Sequence, residues 1–491
     1  MKLAEKIKEK PWLGWVLYGA TILAVFLVGL LGSSIIERRT ETNQIIQNVK
    51  PIKDWEPRNE IWGENYPREF ETYVQTLDTS FASKHGGSAR VDMLERYPDL
   101  VILWAGYAFS RDYNQGRGHY LAVKDIRNTL RTDVPQPATC WTCKSTDVPR
   151  LMNQLGIAEY YKKPWKELGS EVVNAIGCQD CHDNKTMNLK ISRPALVEAF
   201  QRQGKDINNA THQEMRSLVC AQCHVEYYFK GKEEKYLTFP WDDGFTVEDM
   251  EKYYDKVEHV DWVHKISRAP MLKAQHPDFE VFKMGIHSQR GLSCADCHMP
   301  YKSEGGVKFT DHHIQSPLNN IANSCQVCHR ESETTLRNNV YERQDKIFEL
   351  SETATNVIAK AHIEAKIAWD AGATEEQMKP ILQLIRQAQW RWDYVAASHG
   401  AAFHAPLESA RVLANAIHKG QEARTQLAIL LTKLNVGLPI ALPDISTKLK
   451  AQTYIGLNMD SLNKAKSVFL NETIPQWDKI ATEKGNKIAW Y

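Results

Sequence analysis

The 491-residue chain has no excess of charge of either sign: 61 Lys and Arg stand against 60 Asp and Glu. That balance excludes the global basic field that gathers nucleic acid, so no nucleic-acid partner is expected. Low-complexity segments are missing, and so is any internal repeat beyond one short cysteine unit. No cysteine stands alone. All ten fall in five C-x-x-C pairs, Cys140/Cys143, Cys178/Cys181, Cys220/Cys223, Cys294/Cys297 and Cys325/Cys328. A structural disulfide framework spreads its cysteines, and five closed pairs with none left over do not have that form.

Charge is also missing from Trp12 to Ile36, a run of 25 residues and long enough to cross a bilayer as a helix. Lys2, Lys6, Lys8 and Lys10 precede it, Arg38 and Arg39 follow, and the bias favours a cytoplasmic N-terminus. The run reads either as an uncleaved signal anchor or as a cleaved signal peptide. Its length and the merely fair small-x-small match at Leu31-Gly32-Ser33 favour the anchor. Residues 1–39 are therefore expected to anchor the chain, and the polar stretch 40–57, with Pro51 and Pro57, to tether the remainder of it. The chain beyond the tether is then expected on the periplasmic side of the cytoplasmic membrane.

The cysteine pairs carry the chemistry. C-x-x-C also builds tetrahedral zinc sites, and the next residue decides between the two uses. It is histidine four times: His182, His224, His298 and His329. With 17 histidines in 491 residues, four such matches by accident have odds of about one in a million, and C-x-x-C-H is the attachment signature of c-type haem. Two thioethers must reach the two vinyl groups on one edge of a porphyrin, and the next side chain then falls beneath the iron. Attachment of this kind takes place outside the cytoplasm, in agreement with the apolar run.

The fifth unit reads "CWTCK", Cys140 to Lys144. A haem capped by two side chains shuttles electrons but binds no substrate; reaction needs an open position. Lysine still ligates, as a neutral amine, although its ordinary pKa of about 10.4 means that the iron must displace a proton. Lys144 therefore marks the reacting haem, and the four histidine units are its wiring. On the residues alone the alternative stays open, an exposed Lys144 over an iron that is five-coordinate or capped by a distal histidine.

These residues closely resemble the pentahaem cytochrome c nitrite reductases, which reduce nitrite to ammonium. The likeness runs from about Trp55 to Trp477. Besides "CWTCK" it includes "LWAGYAFSRDYNQGRGHY" (103–120), "TLRTD" (129–133), "CAQCHVEYYF" (220–229), "FPWDDG" (239–244), "PMLKAQHPDFE" (270–280), "TDHH" (310–313) and "AQWRWD" (388–393). The resemblance implies five covalent haem c groups and a catalytic pocket of Arg131, Tyr227 and His276 over the Lys144 haem. That choice has physical sense, because a guanidinium and a protonatable imidazole suit an anion whose oxygens leave as water.

The resemblance also implies the second axial ligands, His119, His287, His312 and His404. The expected pairs are His182 with His312, His224 with His119, His298 with His404, and His329 with His287. His313 and His399 remain substitutes for their neighbours. One calcium ion is implied as well, held by the Glu226 carboxylate, the Gln275 side chain and the backbone carbonyls of Tyr227 and Lys273, all oxygen donors as a hard cation requires. A Glu226 salt bridge without an ion is the alternative.

The fold class expected is mainly α: a multihaem cytochrome c fold with a haem-filled, loop-rich part over 58–330 and long helices over 331–491. Porphyrins are expected to replace a conventional side-chain core between Cys140 and His329. Leu336, Val340, Ile347, Leu350, Ala354, Val357 and Ala361 form one apolar helical stripe. Gly372 ends that helix, and Thr374 with Gln377 offers a capping box for the next. Further helices fit 405–434 and about 446–486. A long stripe of this kind commonly packs into a domain of its own; the resemblance assigns it to a homodimer interface.

The expected activity is six-electron reduction of nitrite to ammonium, fed by a membrane quinol-oxidising multihaem cytochrome. Many family members lose their signal and are held by that donor, whereas the run at 12–36 lets this chain hold itself. The rivals are a reductase or oxidase of hydroxylamine or sulfite, and an electron-transfer conduit with no substrate.

Overall fold

The computed structural model describes residues 3–47, 49–133, 135–437 and 439–486. Its architecture is mainly α, with two-stranded ribbons as its sheets among the described residues. The chain forms two compact units, Met1–Pro51 with Ser303–Lys308, and Ile52–Lys302 with Phe309–Tyr491. In the first unit a short helix, Leu3–Glu9, precedes the long helix Trp12–Gln47. The span Trp12–Glu37 has a mean hydropathy of 2.2 and no buried residue. A helix apolar on every face suits lipid rather than water, so it is compatible with a membrane anchor or a signal segment. Helix persists through Gln47, so the first part of the expected tether, 40–47, is helical.

The motif region of the second unit is built from helices of a few turns, among them Pro194–Arg202, His212–Ala221, Val247–Lys256 and Asp278–Met284. Three cysteine pairs sit on or beside a single helical turn, Ala138–Trp141, Cys178–Cys181 and Cys294–His298. Residues three apart on such a turn share a face, which lets both thiols point to one porphyrin edge. The expectation that porphyrins replace a side-chain core here is too strong. Trp141, Tyr160, Trp165, Leu196, Phe239, Trp241 and Met250 are buried and belong to the main apolar cluster. Wide aromatic rings form a wall around the motif residues, and a wall needs its own packing.

Three long helices complete the unit: Glu333–Asp370, Glu375–Ala397 and Pro406–Lys433. The Ser332 hydroxyl caps the first, accepting from the Thr335 N–H at 3.2 Å. Its predicted stripe is buried apart from a half-buried Leu350. Gly372, at φ 90°, supplies the left-handed turn that ends this segment. Thr374 and Gln377 then form the expected reciprocal cap.

The helix Glu375–Ala397 ties the two halves of the unit together. Its Trp390 donates to the Val247 carbonyl at 2.9 Å, and Arg391 makes a forked pair with Glu251 at 2.8 and 2.9 Å. Both Arg391 and Glu251 are buried, so removing either partner costs about 3–5 kcal/mol. Over 446–486 the single predicted helix is instead broken into Lys448–Tyr454, Met459–Val468, a π turn at Phe469–Thr473, and Ile474–Glu483. Asn458 starts a new cap by accepting from the Ser461 N–H at 3.0 Å, which the apolar periodicity does not reveal.

Candidate functional site

The motif residues gather around one cavity of about 2000 Å³. Nine of the ten cysteines line it, all but Cys328, with Lys144, His119, His182, His224, His287, His298, His312 and His404. Ordinary small-molecule clefts span ~300–1,000 Å³, so this one has room for several large planar groups. Cys328 and His329 line a second opening of about 400 Å³. Attachment points of different units lie side by side, Cys143 beside Cys223 and Cys220 beside Cys294.

The histidines meet in pairs across this space. Ring centroids lie 6.3 Å apart for His119 and His224, 6.2 Å for His182 and His312, 6.2 Å for His298 and His404, and 6.4 Å for His287 and His329. Two imidazoles bound by nitrogen to opposite sides of one metal, each at roughly 2 Å, have their centroids about 6 Å apart. The same spacing, found four times, matches the one that two ligands of a single metal take. The four pairs formed are those that the resemblance implies.

Orientation of the rings follows the same logic. The Nδ1 of His182 donates to the Met187 carbonyl at 2.8 Å, that of His298 to the Gln315 carbonyl at 2.8 Å, and that of His312 to the Thr310 carbonyl at 2.8 Å. A carbonyl only accepts, so Nδ1 carries the proton and Nε2 is left as the free ligand nitrogen. His224 turns its Nδ1 toward the Asp278 carboxylate at 3.6 Å. His404 depends on Gly400: a Cβ there would come within 2.2 Å of the imidazole. The two substitute histidines sit elsewhere. His313 accepts at Nδ1 from the Gln315 amide at 2.9 Å, and His399 faces His276 with centroids 5.9 Å apart.

The lysine unit is folded differently from the histidine units. The His182, His224 and His329 amides each bond the carbonyl of the first cysteine, Cys178, Cys220 or Cys325, at 2.9 Å. The Lys144 amide instead bonds the Trp141 carbonyl at 2.9 Å, a tighter turn. Trp141 makes that turn rigid, because its buried indole stacks on Trp165 at 4.5 Å and donates to the Trp165 carbonyl at 3.0 Å.

Arg131, Tyr227 and His276 line the cavity together with Lys144. The Arg131 guanidinium lies over the Phe109 ring at 4.3 Å, and its Nε donates to the Thr129 hydroxyl at 3.3 Å. That hydroxyl is oriented in turn by donating to Asp112 at 2.8 Å. Burial pushes the Tyr227 phenol well above its ordinary value, and the neighbouring Cys143 and Cys140 push the same way. Burial holds the His276 imidazole well below its ordinary value, with Lys144 and His399 adding to it. Burial also drives the Cys140 thiol up to about 12, against the pull of Arg131 and Lys144. An unmodified thiol there stays neutral.

Glu226 is fully buried among neutral donors. Its carboxylate accepts from the Tyr254 hydroxyl at 2.8 Å and from the Gln275 N–H at 2.6 Å. Burial raises its pKa well above the ordinary range, and the nearby Glu280 adds to this. The Gln275 amide folds back to the Lys273 carbonyl at 3.1 Å, so a carboxylate, an amide and a backbone oxygen stand together. The Lys273 ammonium is committed elsewhere, to Asp393 at 2.8 Å.

Sequence reasoning missed several residues that act here. Asp278 and Asp393 lie inside quoted motifs, "PMLKAQHPDFE" and "AQWRWD", and a search for buried acids beside cations would have found them. Phe109 and Thr129 carry no signal of their own. Arg193, the most connected buried cation in this region, reads in sequence only as a residue before proline.

Comparison with known proteins agrees with this geometry. The family model described as Cytochrome c552 matches residues 58–486. A cytochrome c-552 of Parabacteroides distasonis is 60% identical over 490 residues, covering 98% of this chain and 99% of the relative. A cytochrome c-552 of Porphyromonas gingivalis is 58% identical over 498 residues, with both chains fully covered. Among solved structures, the catalytic subunit of the cytochrome c nitrite reductase of Desulfovibrio desulfuricans superposes with a TM-score of 0.74 at 29% identity, over 84% of this chain and 91% of that one. That protein is described with two calcium sites.

Proposed function

Because the chain belongs to the cytochrome c552 family, we propose that it reduces nitrite to ammonium at a c-type haem carried by Cys140 and Cys143, with Lys144 as proximal ligand. The observation that carries this reading is a contrast among the five units. Four histidine units each face a second imidazole at 6.2–6.4 Å. Around the lysine unit the neighbours are instead a guanidinium, Arg131 by Cys140; a phenol, Tyr227 by Cys143; and an imidazole, His276 by Lys144. Irons capped on both sides conduct electrons, whereas an open iron binds substrate. The likeness to a nitrite reductase supports nitrite as that substrate.

When bound, the haem supplies electrons and an open iron for nitrite. Arg131 pairs with the anion; its charge is permanent, and Phe109 and Thr129 hold it in place before substrate arrives. His276, neutral in the empty pocket, takes up a proton as the anion binds and passes it to an oxygen leaving as water. Tyr227 keeps its proton and donates a hydrogen bond. In total one nitrite, six electrons and eight protons give one ammonium and two waters.

Five haem c groups account for the ten cysteines. One calcium ion fits at Glu226, with the Gln275 side chain and the carbonyls of Tyr227 and Lys273. A buried carboxylate held by neutral donors alone is pushed toward its neutral form, and a divalent cation reverses that. The helix Trp12–Gln47 anchors the chain on the periplasmic side of the cytoplasmic membrane, beside a quinol-oxidising multihaem cytochrome as donor. The exposed Leu407 and Ile429 on the helix Pro406–Lys433 support a homodimer through the long helices.

The test is product analysis. Membrane-extracted protein is supplied with a reduced viologen and nitrite, and ammonium formed is counted against nitrite consumed. One ammonium per nitrite, with no free nitric oxide or hydroxylamine, is the expected outcome. A fully haem-loaded protein that consumes no nitrite would return the reading to an electron conduit or another substrate.

A further inference from the structure

Each C-x-x-C pair encloses two residues, and in three consecutive units the second of them is polar and buried: Thr142, Asp180 and Gln222. They belong to the units of Lys144, His182 and His224. All three residues bond Arg193, through the Thr142 backbone carbonyl, the Asp180 carboxylate and the Gln222 side-chain oxygen.

Arg193 stands at that meeting point and is 1% exposed. Its Nε donates to the Thr142 carbonyl at 2.7 Å and its Nη2 to the Ser145 carbonyl at 2.9 Å, so that the guanidinium brackets Lys144 from both sides in sequence. Nη2 also donates to the Asp180 carboxylate at 2.7 Å. Nη1 donates to the Ser192 hydroxyl at 2.8 Å, and that hydroxyl donates to the Asp180 carbonyl at 2.8 Å. Gln222 closes the circle. Its amide donates to the Asp180 carbonyl at 2.8 Å, and its oxygen accepts from the Ser192 and Arg193 N–H groups at 3.0 and 3.1 Å. The guanidinium thus joins the attachment loops of the Lys144 and His182 units, and the Arg193 backbone N–H ties in the third through Gln222.

We propose that Arg193 is the positioning residue that holds Lys144 at its iron and fixes the lysine unit against the units of His182 and His224. This rests on the reading that Lys144 ligates a haem. The reason for arginine is geometric. The Thr142 and Ser145 carbonyls and the Asp180 carboxylate lie around a single guanidinium plane, and a lysine, a point charge on a flexible stem, cannot serve them together. Asp180 neutralises the buried cation, which stands unpaired without it. Arg193 touches neither substrate nor the reacting atoms, so its effect is on the ligand and on the spacing of the haems.

The test uses the complete, haem-loaded protein and reads ligation apart from turnover. Arg193→Lys keeps the charge and removes the fork. Its haem content is expected to stay at the wild-type value. The high-spin electron paramagnetic resonance signal of the Lys144 haem is expected to split into two populations, and cyanide affinity at that haem to fall about tenfold, the effect of one lost charge-assisted hydrogen bond. Should Arg193→Lys fail to load haem, Asp180→Asn keeps the shape of the loop, weakens the same hub and is expected to give the same split. A loaded variant with the wild-type signal and wild-type cyanide affinity overturns the proposal. Lys144→His serves as the control. If it leaves the high-spin signal unchanged, Lys144 is not the ligand and both readings fall; if it changes the signal while the hub variants do not, only the role of Arg193 falls.

Discussion

His264 and His362 stack face to face in the protein interior, with ring centroids 3.7 Å apart and planes 18° from parallel. Neither belongs to the set of proposed haem ligands, and each is held neutral by its partners. His264 accepts at Nδ1 from the Ser267 N–H at 3.2 Å and donates from Nε2 to the Ile102 carbonyl at 2.8 Å. His362 donates from Nε2 to the Gln389 side-chain oxygen at 2.7 Å, and Gln389 donates onward to the Leu103 carbonyl at 2.8 Å. Two imidazoles thereby join the segment before the cysteine units to two of the long helices.

Acid should weaken the fold through this pair. Burial lowers His362 to about 4 and His264 well below its ordinary value. The unfolded chain takes up these protons near pH 6.5 and the native chain only near pH 4 or below, so stability is full above about pH 6.5 and falls as pH drops. At pH 5 the loss is about 2 kcal/mol for His362, and His264 adds to it in the same direction. Urea unfolding followed by far-ultraviolet circular dichroism measures it, and His362→Gln is expected to lower the dependence. A midpoint equal at pH 7.5 and pH 5 would exclude the mechanism.

The pair also marks the limit of what sequence reveals. The haem units and their proximal histidines are legible because covalent attachment fixes a local spacing. The first long helix, its stop at Gly372 and the cap at Thr374 are legible for the same reason, since caps and stripes are local. Distal histidines lie 42 to 130 residues from their partners and became legible only through a family likeness. His264 with His362, Arg193 with Asp180, and Lys273 with Asp393 are linked by no spacing in sequence, even where one member lies inside a motif. Each pair is made by packing, and nothing near either residue announces the other.

The distal histidines can be told from their neighbours by spectrum. His312→Ala is expected to free one face of the haem in the His182 unit, converting one low-spin haem to a cyanide-binding form. His313→Ala should leave the spectrum as it is, because the His313 ring is turned to the Gln315 amide at 2.9 Å. The same contrast should hold between His404→Ala and His399→Ala, since His399 faces His276. Conversion by the second variant of either pair would exchange the assignments.

Calcium at Glu226 should be removable. Chelation is expected to lower nitrite turnover and added Ca2+ to restore it, while the haem count stays unchanged. Glu226→Gln keeps the shape of the side chain and removes the charge of a proposed ligand, so Ca2+ affinity is expected to fall by more than the roughly 10- to 100-fold that loss of a supporting residue costs. Metal analysis of the purified protein, before and after chelation, decides the matter. Protein active at the full rate with no bound calcium would leave Glu226 as a buried acid hydrogen-bonded to Tyr254.

Binding and proton delivery in the pocket fall to different residues and can be separated. Arg131→Gln removes a permanent charge from an anion and, at about 1.5–3 kcal/mol for a charge-assisted hydrogen bond, should raise the KM for nitrite about 10- to 100-fold. Arg131→Lys should fall between that variant and the wild type, because Phe109 and Thr129 are arranged for a guanidinium plane. His276 behaves differently. Its imidazole is neutral before nitrite arrives and gains a proton with the anion, so the wild-type KM should rise with pH by up to about tenfold per unit across pH 6–8. His276→Asn should abolish that slope and lower kcat by about a hundredfold, the usual worth of a positioned acid. Steady-state kinetics across that pH range test both residues at once. A wild-type KM independent of pH, or a slope that survives in His276→Asn, would move the proton to another group of the pocket, Tyr227 or the neighbouring His399.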